Sequence, residues 1–162
     1  MSSIYDALVE IVGDDYASNR QEELFTYSKD LGTSKPKWPE YVVLPKTVEE
    51  LQAIVILSNQ EKVPLVPLGG GMSLAGIALP HHGGIVIDMK RMENIVELNE
   101  KARYVVVEAG TPHGKLFAYL NNHYPHLMHS MPGTHRRQQP SAEILQFMAR
   151  GISPIPMVLT QI

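Results

Sequence analysis

Residues 69–71 are three consecutive glycines, and Ser73, Ala75 and Gly76 follow closely behind them. A glycine run leaves no side chain between the backbone N–H groups and a ligand, and it permits backbone angles that other residues resist. Such a loop can direct several donors at phosphate oxygens, and the Ser73 hydroxyl adds another. The stretch therefore predicts a phosphate-binding loop, with a flexible connector as the alternative.

Two familiar phosphate-binding loops do not fit these residues. Gly71 and Gly76 have the spacing of a P-loop, but Ile77 and Ala78 stand where that loop needs Lys and Ser or Thr. A dinucleotide-binding fingerprint requires its glycines to open a helix. Here the next regular segment, residues 84–89, has the composition of a strand. The glycine loop thus connects two predicted strands.

The elements before the loop indicate a βαβ unit. Helical spacing predicts helices over residues 3–12 and about 19–31. A strand over residues 41–44, a helix over 46–62 and a strand over 63–67 then favour parallel pairing. The capping box of the long helix pairs Thr47 with Glu50, and its predicted buried face comprises Val48, Leu51, Ile54 and Val55.

The elements after the loop indicate a hairpin and a further helix. Residues 94–98 and 103–110 are strand-like and flank a polar turn, which predicts a β-hairpin. Thr111 is expected to cap a helix that has Pro112 at its first position and continues to His123. This order predicts a mixed α+β domain rather than a long doubly wound sheet.

Composition narrows the class of protein. The chain has 162 residues, 44% of them hydrophobic, a formal net charge of −3 and no cysteine. This charge argues against a nucleic-acid partner, and the lack of cysteine excludes disulfides, thiolate catalysis and cysteine-bound metals. The N-terminus lacks the features of a signal peptide, and no segment has the length of a membrane span. We expect a soluble, cytoplasmic protein without a membrane span.

The segments on both sides of the glycine loop recur together in one family. They are YVVLPKTVEELQAIV, the glycine loop, GIVIDMKRMENIVELN, and VVVEAG before a short helix. In this order they resemble the N-terminal part of the flavin domain of FAD-linked oxidases, the vanillyl-alcohol oxidase and p-cresol methylhydroxylase type. The resemblance covers residues 25 to about 131. It implies the N-terminal half of a two-lobed FAD-binding domain, in which a βαβ unit and a β-hairpin have flanking helices.

The resemblance also implies a site for the FAD pyrophosphate, bound through backbone groups of the loop. The implied residues are Leu68, Gly69, Gly70, Gly71, Met72, Ser73, Ala75 and Gly76. Many family members have Arg where this chain has Leu68, and Thr or Asn where it has Met72, so some polar contacts are missing. Some relatives link the flavin to a histidine in this loop. Met72 cannot form that link, so we expect noncovalent FAD unless His81, His82 or a residue absent from this chain is used.

The histidines raise the question of a metal site. Five of the seven, His113, His123, His126, His129 and His135, lie within residues 113–135. Pro125 breaks the helix that would align three of them, and no HExxH motif is present. We therefore expect exposed loop histidines and no metal.

Four other residues have polar side chains of interest. Tyr27 and Asp30 are compatible with a partner-facing pair or with an ordinary surface helix. Asp88 and Glu108 end predicted strands beside the loop and are expected to orient the local backbone. The sequence assigns no catalytic residue.

Residues 133–162 differ from the rest of the chain because they carry no feature of the family. When the third base of each codon is read with the first two bases of the next, the Met148–Ala149 and Met157–Val158 junctions must both encode glycine. The other junctions permit a glycine- and histidine-containing segment typical of the family. This pattern predicts an out-of-frame tail over 133–162. The helical spacing and the resemblance described above predict N-terminal helices over 1–32 and a first, incomplete FAD-binding lobe over 37–131. We expect the tail to form no strand and at most a partial helix over 141–149.

Two functions remain open at this stage. The first is the FAD-binding portion of a flavin-dependent oxidoreductase that oxidises an alcohol, hydroxy acid or phenol-type substrate. Its substrate would bind through a C-terminal domain that these residues lack, so this chain alone is expected to be inactive. The alternative is a noncatalytic FAD-binding or assembly module, or an inactive gene relic.

Overall fold

The computed structural model describes residues 3–71, 74–129 and 155–161 of the chain. The chain divides into two compact units, Met1–Arg91 and Met92–Ile162. Both units combine helices with a four-stranded sheet. The mixed helix and strand content confirms the predicted fold class.

Unit 1 begins with two helices that precede its sheet. The Ser3 hydroxyl accepts a hydrogen bond from the Asp6 amide, which caps helix α1. The second predicted helix is shorter than expected because it ends at Thr26, and the residues after it turn toward the glycine loop. The elements are α1 (Ile4–Val12), a 3₁₀ turn (Asp14–Tyr16), strand β1 (Ala17–Ser18) and helix α2 (Gln21–Thr26).

Helix α3 (Val48–Glu61) begins at the predicted cap, but only half of the capping box forms. The Thr47 hydroxyl accepts a bond of 3.2 Å from the Glu50 amide. The Glu50 carboxylate accepts from the Lys46 amide at 2.6 Å and not from Thr47. The predicted buried face is wrong at its start, since Val48 is 47% exposed. The buried residues of the helix are Leu51, Ile54 and Ser58.

The sheet of unit 1 contains the predicted parallel strands, in the order β1-β2-β4-β3. Strands β2 (Tyr41–Val43) and β3 (Leu65–Leu68) both pair in parallel with β4 (Ile85–Asp88), which lies between them. This arrangement confirms the βαβ unit and places β4 at its centre. The last pair in register joins Leu68 to Asp88, so both strands end at the same edge of the sheet.

Gly84 fixes the start of the central strand. Its φ is +82°, and a Cβ at this position would lie 2.2 Å from the carbonyl oxygen of Pro64. Its own carbonyl accepts hydrogen bonds from the amides of Glu40 and Tyr41. Only glycine permits both the backbone angle and this close approach. The neighbouring core cluster comprises Leu24, Val42 and Val86.

Unit 2 contains the predicted hairpin, formed by β5 (Ile95–Asn99) and β6 (Tyr104–Val107). The Asn99 side chain accepts a bond of 2.9 Å from the Ala102 amide and so closes the turn. The sheet has the order β5-β6-β8-β7, and all its pairs are antiparallel. The remaining elements are α4 (His113–His123), β7 (Leu127–His129) and β8 (Ile155–Gln161).

The start of helix α4 differs by one residue from the prediction. Pro112 is the N-cap, and it makes no side-chain capping bond. The Thr111 hydroxyl instead donates to the Asn94 carbonyl at 3.2 Å, which ties the start of the helix to the hairpin. The core of the unit lies between the helix and the sheet and comprises Val105, Val107, Leu116, Leu120 and Leu127.

The expectation that residues 133–162 form no strand is wrong for Ile155–Gln161. This strand pairs with β6 on one side and β7 on the other, and Pro156 lies opposite Val106. Pro156 stands next to the first residue of the strand, where its missing N–H removes one bond of the ladder and leaves the later positions intact. The helix expected over 141–149 lies outside the described residues.

Candidate functional site

The glycine loop leaves the sheet of unit 1 at its carboxyl edge. It follows Leu68 directly, and Leu68 pairs with Asp88 at the end of the central strand. In open sheets with parallel strands, ligands bind outside the carboxyl ends of the strands. The loop therefore occupies the edge where a ligand is expected.

The first part of the loop presents backbone rather than side chains. Residues 69–71 are partly exposed, and Gly71 has a φ of +67°. Among the residues that the structure describes, the amides of these three glycines have no hydrogen-bond partner. The Leu68 side chain packs against the core, so this residue contributes only its backbone to the edge. Met72 and Ser73 lie outside the described residues.

The end of the loop is held by other parts of unit 1. Ala75 is exposed, whereas Gly76 is buried and has a φ of +71°. The Gly76 amide donates to Asp30 Oδ2 at 2.7 Å. Its carbonyl accepts from the Leu79 amide at 3.2 Å and contacts His81 Nε2 at 2.9 Å. Both backbone groups of Gly76 are thus engaged within the protein, and the residue closes the loop.

A buried carboxylate lies at the same edge of the sheet. The Asp88 side chain is 6% exposed and pairs with Lys90 Nζ at 2.8 Å. The Tyr27 hydroxyl donates to Asp88 Oδ2 at 2.9 Å. Burial, together with the Asp88 charge, raises the pKa of Tyr27. Burial alone would lower the pKa of Lys90, but its bond and ion pair with Asp88 outweigh this effect and raise it.

The structure gives specific roles to four polar residues that the sequence left general. Tyr27 binds Asp88 at the edge of the sheet, and Asp30 binds Gly76 at the end of the glycine loop. The expected role of Asp88 and Glu108 in orienting backbone is confirmed. Asp88 accepts from the Lys90 amide at 3.0 Å, and Glu108 accepts from the Asn94 amide at 2.7 Å.

The expectation of exposed loop histidines is wrong for two of the five. His113 is fully buried on α4, and His129 is 3% exposed at the end of β7. They contact each other because the helix packs on the sheet of unit 2. His135 lies outside the described residues. Within residues 3–71 and 74–129, no three potential metal-binding side chains of His, Asp or Glu come together.

A cleft of about 320 Å³ lies elsewhere in unit 1, between α2 and the start of the sheet. Its lining includes the carboxylates of Asp15, Glu22 and Glu23 together with the rings of Tyr16 and Tyr27. Three carboxylates would repel a phosphate group. The glycine loop contributes no residue to this cleft, so the candidate site remains at the loop. In the described part of the chain, no helix is long and apolar enough for a membrane crossing.

Comparison with known families identifies the same part of the chain. Residues 39–138 match the profile of a family described as FAD binding domain. The match includes the sheet edge and the complete glycine loop. It begins after the segment that carries Tyr27 and Asp30.

Individual relatives agree with this match. The chain is 31% identical over 126 residues to a D-2-hydroxyglutarate dehydrogenase of Stutzerimonas stutzeri, which covers 76% of this chain and 27% of the relative. It is 27% identical over 107 residues to the glycolate oxidase subunit GlcD of Bacillus subtilis, covering 66% of this chain and 23% of the relative. The chain therefore spans about a quarter of the length of these two relatives.

A solved structure shows the same fold. The crystal structure of p-cresol methylhydroxylase with substrate bound superposes with a TM-score of 0.77 and 22% sequence identity. The superposition covers 88% of this chain and 28% of the other.

Proposed function

This chain belongs to the FAD binding domain family, and from that premise we propose that it is the FAD-binding portion of a flavin-dependent oxidoreductase. The substrate class that we propose is an alcohol, a hydroxy acid or a phenol. FAD is the cofactor of the family. When bound, it supplies the group that accepts a hydride from the substrate.

The glycine loop is the observation that carries this proposal. The free amides of residues 69–71 are donors without a protein partner in the described part of the chain. They follow β3 at the carboxyl edge of a parallel sheet, and the glycines themselves carry no side chain that would block a ligand. This arrangement fits a pyrophosphate, whose oxygens accept hydrogen bonds and whose charge is stabilised by backbone dipoles.

The proposed pyrophosphate site, which we call the cradle, comprises residues 68–73, 75 and 76 and divides into three parts. Residues 69–71 donate from the backbone, and Leu68 positions them at the end of β3. Met72 and Ser73 belong to the cradle by resemblance to the family. Ala75 is exposed, whereas Gly76 fixes the end of the loop because its backbone groups are already bonded.

The proposed substrate class rests on the relatives. Two of them are named for the hydroxy acids 2-hydroxyglutarate and glycolate, and the solved structure is named for p-cresol. These names share a hydroxyl-bearing substrate. We assign no catalytic residue to this chain.

An alternative function is a noncatalytic FAD-binding or assembly module, or an inactive gene relic. This alternative is consistent with the match to only about a quarter of each relative. The reading frame of the source DNA distinguishes the two. A continuation of the family in another frame after codon 132 supports the oxidoreductase. A single intact frame beside a separate partner gene supports the module.

FAD binding to the 162-residue chain tests the proposed function. We expect weak binding that shifts the amide resonances of residues 69–71 in a ¹⁵N-labelled sample. Gly70→Val should weaken binding at least about tenfold, because it places a branched side chain where phosphate must approach. Ala102→Val is the control. It places a valine in an exposed turn of unit 2 and should leave binding unchanged.

Two results would contradict the proposal. The first is the absence of any FAD-dependent shift in residues 69–71 of the parent chain. The second is an unchanged dissociation constant in the Gly70→Val variant, since the loop would then not be the cradle.

A further inference from the structure

We propose that Asp30, together with Gly32, positions the end of the glycine loop for FAD. The inference rests on the proposed function of the loop. Both residues precede residue 39, where the match to the family begins.

Asp30 joins two stretches of backbone with one carboxylate. Its Oδ2 accepts from the Gly76 amide at 2.7 Å, and its Oδ1 accepts from the Gly32 amide at 3.0 Å. The group is partly buried, and its bonds to amides are charge-assisted. The carboxylate therefore holds residues 30–32 against the end of the loop across 46 positions of sequence.

Gly32 permits this contact because it has no side chain. A Cβ at Gly32 would lie 2.2 Å from the Leu74 carbonyl oxygen and 2.9 Å from the Leu74 carbonyl carbon. Gly32 does not have a positive φ, so this approach, rather than backbone strain, is what requires glycine. The same two segments also approach at a second point, since a Cβ at Gly76 would lie 2.9 Å from Ser34 Oγ.

The opposite side of Gly76 is also fixed. His81 Nε2 lies 2.9 Å from the Gly76 carbonyl oxygen, which requires the ring to carry its proton on Nε2 for a hydrogen bond. The peptide groups on both sides of Gly76 are thus bound by side chains from outside the loop. They hold the residue at its positive φ of +71°.

These contacts give the loop two fixed ends. The sheet holds the first end at Leu68, and Asp30 with His81 holds the second at Gly76. A loop that is ordered before its ligand arrives loses less conformational entropy on binding. Loss of the two bonds should therefore weaken FAD binding without removing any ligand contact.

Three single variants separate this role from general stability. Asp30→Asn keeps the size of the side chain but removes the charge and one of the two acceptor oxygens. Gly32→Ala leaves the carboxylate intact and pushes residues 30–32 away from Leu74 by collision. Asp14→Asn is the matched control, because Asp14 is an exposed aspartate on the 3₁₀ turn of the same unit.

Two measurements on the full 162-residue chain test the inference. The first is hydrogen exchange of the Gly76 amide without ligand, which we expect to accelerate in Asp30→Asn and Gly32→Ala and to stay unchanged in Asp14→Asn. The second is the FAD dissociation constant from amide shifts, which should rise at least about fivefold in the first two variants and not in the control. Urea unfolding identifies any variant that has lost its fold, and the remaining variant then decides the test.

The outcomes distinguish this inference from the proposed function. If the parent chain binds FAD and both variants bind it equally well, the positioning role is wrong and the proposed function stands. If hydrogen exchange of the Gly76 amide is the same in all four chains, the bond between Asp30 and Gly76 does not protect this amide in solution, and the inference is wrong for that reason. If the parent chain does not bind FAD, the proposed function fails, and the inference fails with it.

Discussion

His113 Nδ1 and His129 Nε2 lie 3.3 Å apart in the core of unit 2, within hydrogen-bonding distance. The two rings are nearly parallel, with planes inclined by 8° and centroids 5.3 Å apart. One ring donates and the other accepts, so both can be neutral together. Within the part of the chain that the structure describes, the two outer nitrogens, His113 Nε2 and His129 Nδ1, have no hydrogen-bond partner.

This pair should make unit 2 sensitive to acid. Burial, together with repulsion from His129, lowers the pKa of His113 to about 4, and burial lowers the pKa of His129. An unfolded histidine has a pKa of about 6.5. Between these values the unfolded chain binds more protons than the folded chain, so the free energy of unfolding should fall as the pH falls from about 6.5 to about 4. Urea unfolding across this range measures the slope.

The double variant His113→Leu/His129→Leu is the control for that slope. It removes both titrating groups and both unpartnered nitrogens, so its stability should depend less on pH across the same range than that of the parent. An equal slope in the two proteins would show that other groups, not the buried pair, cause the acid sensitivity.

The sequence predicted most regular elements, because their signals are local. The parallel βαβ unit and the hairpin follow from alternation, turn residues and a helix cap. The histidine pair was missed because His113 and His129 come together only when α4 packs on the sheet. A count of histidines along the chain contains no information about that packing. The predicted start of α4 was wrong by one residue, because the Thr111 hydroxyl bonds to the Asn94 carbonyl and does not cap the helix.

Tyr27→Phe should destabilise unit 1 by about 1–2 kcal/mol, because it removes a hydrogen bond to the buried Asp88 carboxylate. Lys90 remains as a partner of Asp88, which limits the loss. Tyr104→Phe is the matched control, since its hydroxyl bonds to the exposed Glu97 and its removal should change stability by less than about 0.5 kcal/mol. Urea unfolding of the two variants measures both effects. Equal losses would show that the Asp88 bond adds nothing beyond a surface contact.

Gly84→Ala should be much more harmful than Gly13→Ala. Both glycines have a positive φ, +82° and +90°, which L side chains rarely adopt, so each substitution has a backbone cost of about 1–3 kcal/mol. At Gly84 the new Cβ also meets the Pro64 carbonyl oxygen at 2.2 Å, whereas at Gly13 the nearest atom is 3.8 Å away. Thermal unfolding should give a clearly lower Tm for Gly84→Ala, and similar values would show that β3 and β4 shift apart easily.

The candidate site was predictable in its first half and not in its second. Three glycines after a strand indicate a ligand loop from residue type alone. The attachment of Gly76 to Asp30 was not predictable, because the two residues are far apart in sequence and Asp30 follows a helix with an ordinary surface pattern.

Removal of residues 133–162 tests the strand that the sequence did not predict. In the structure, β8 lies between β6 and β7, so the truncated chain should expose the paired edges of both strands. We expect faster hydrogen exchange at the amides of residues 104–107 and a lower free energy of unfolding for unit 2. The amides of β4 in unit 1 are the internal control and should exchange at the same rate in both chains. If the tail is an out-of-frame product that fits no groove, residues 104–107 will exchange equally fast in both chains, and the pairing of β8 will be contradicted.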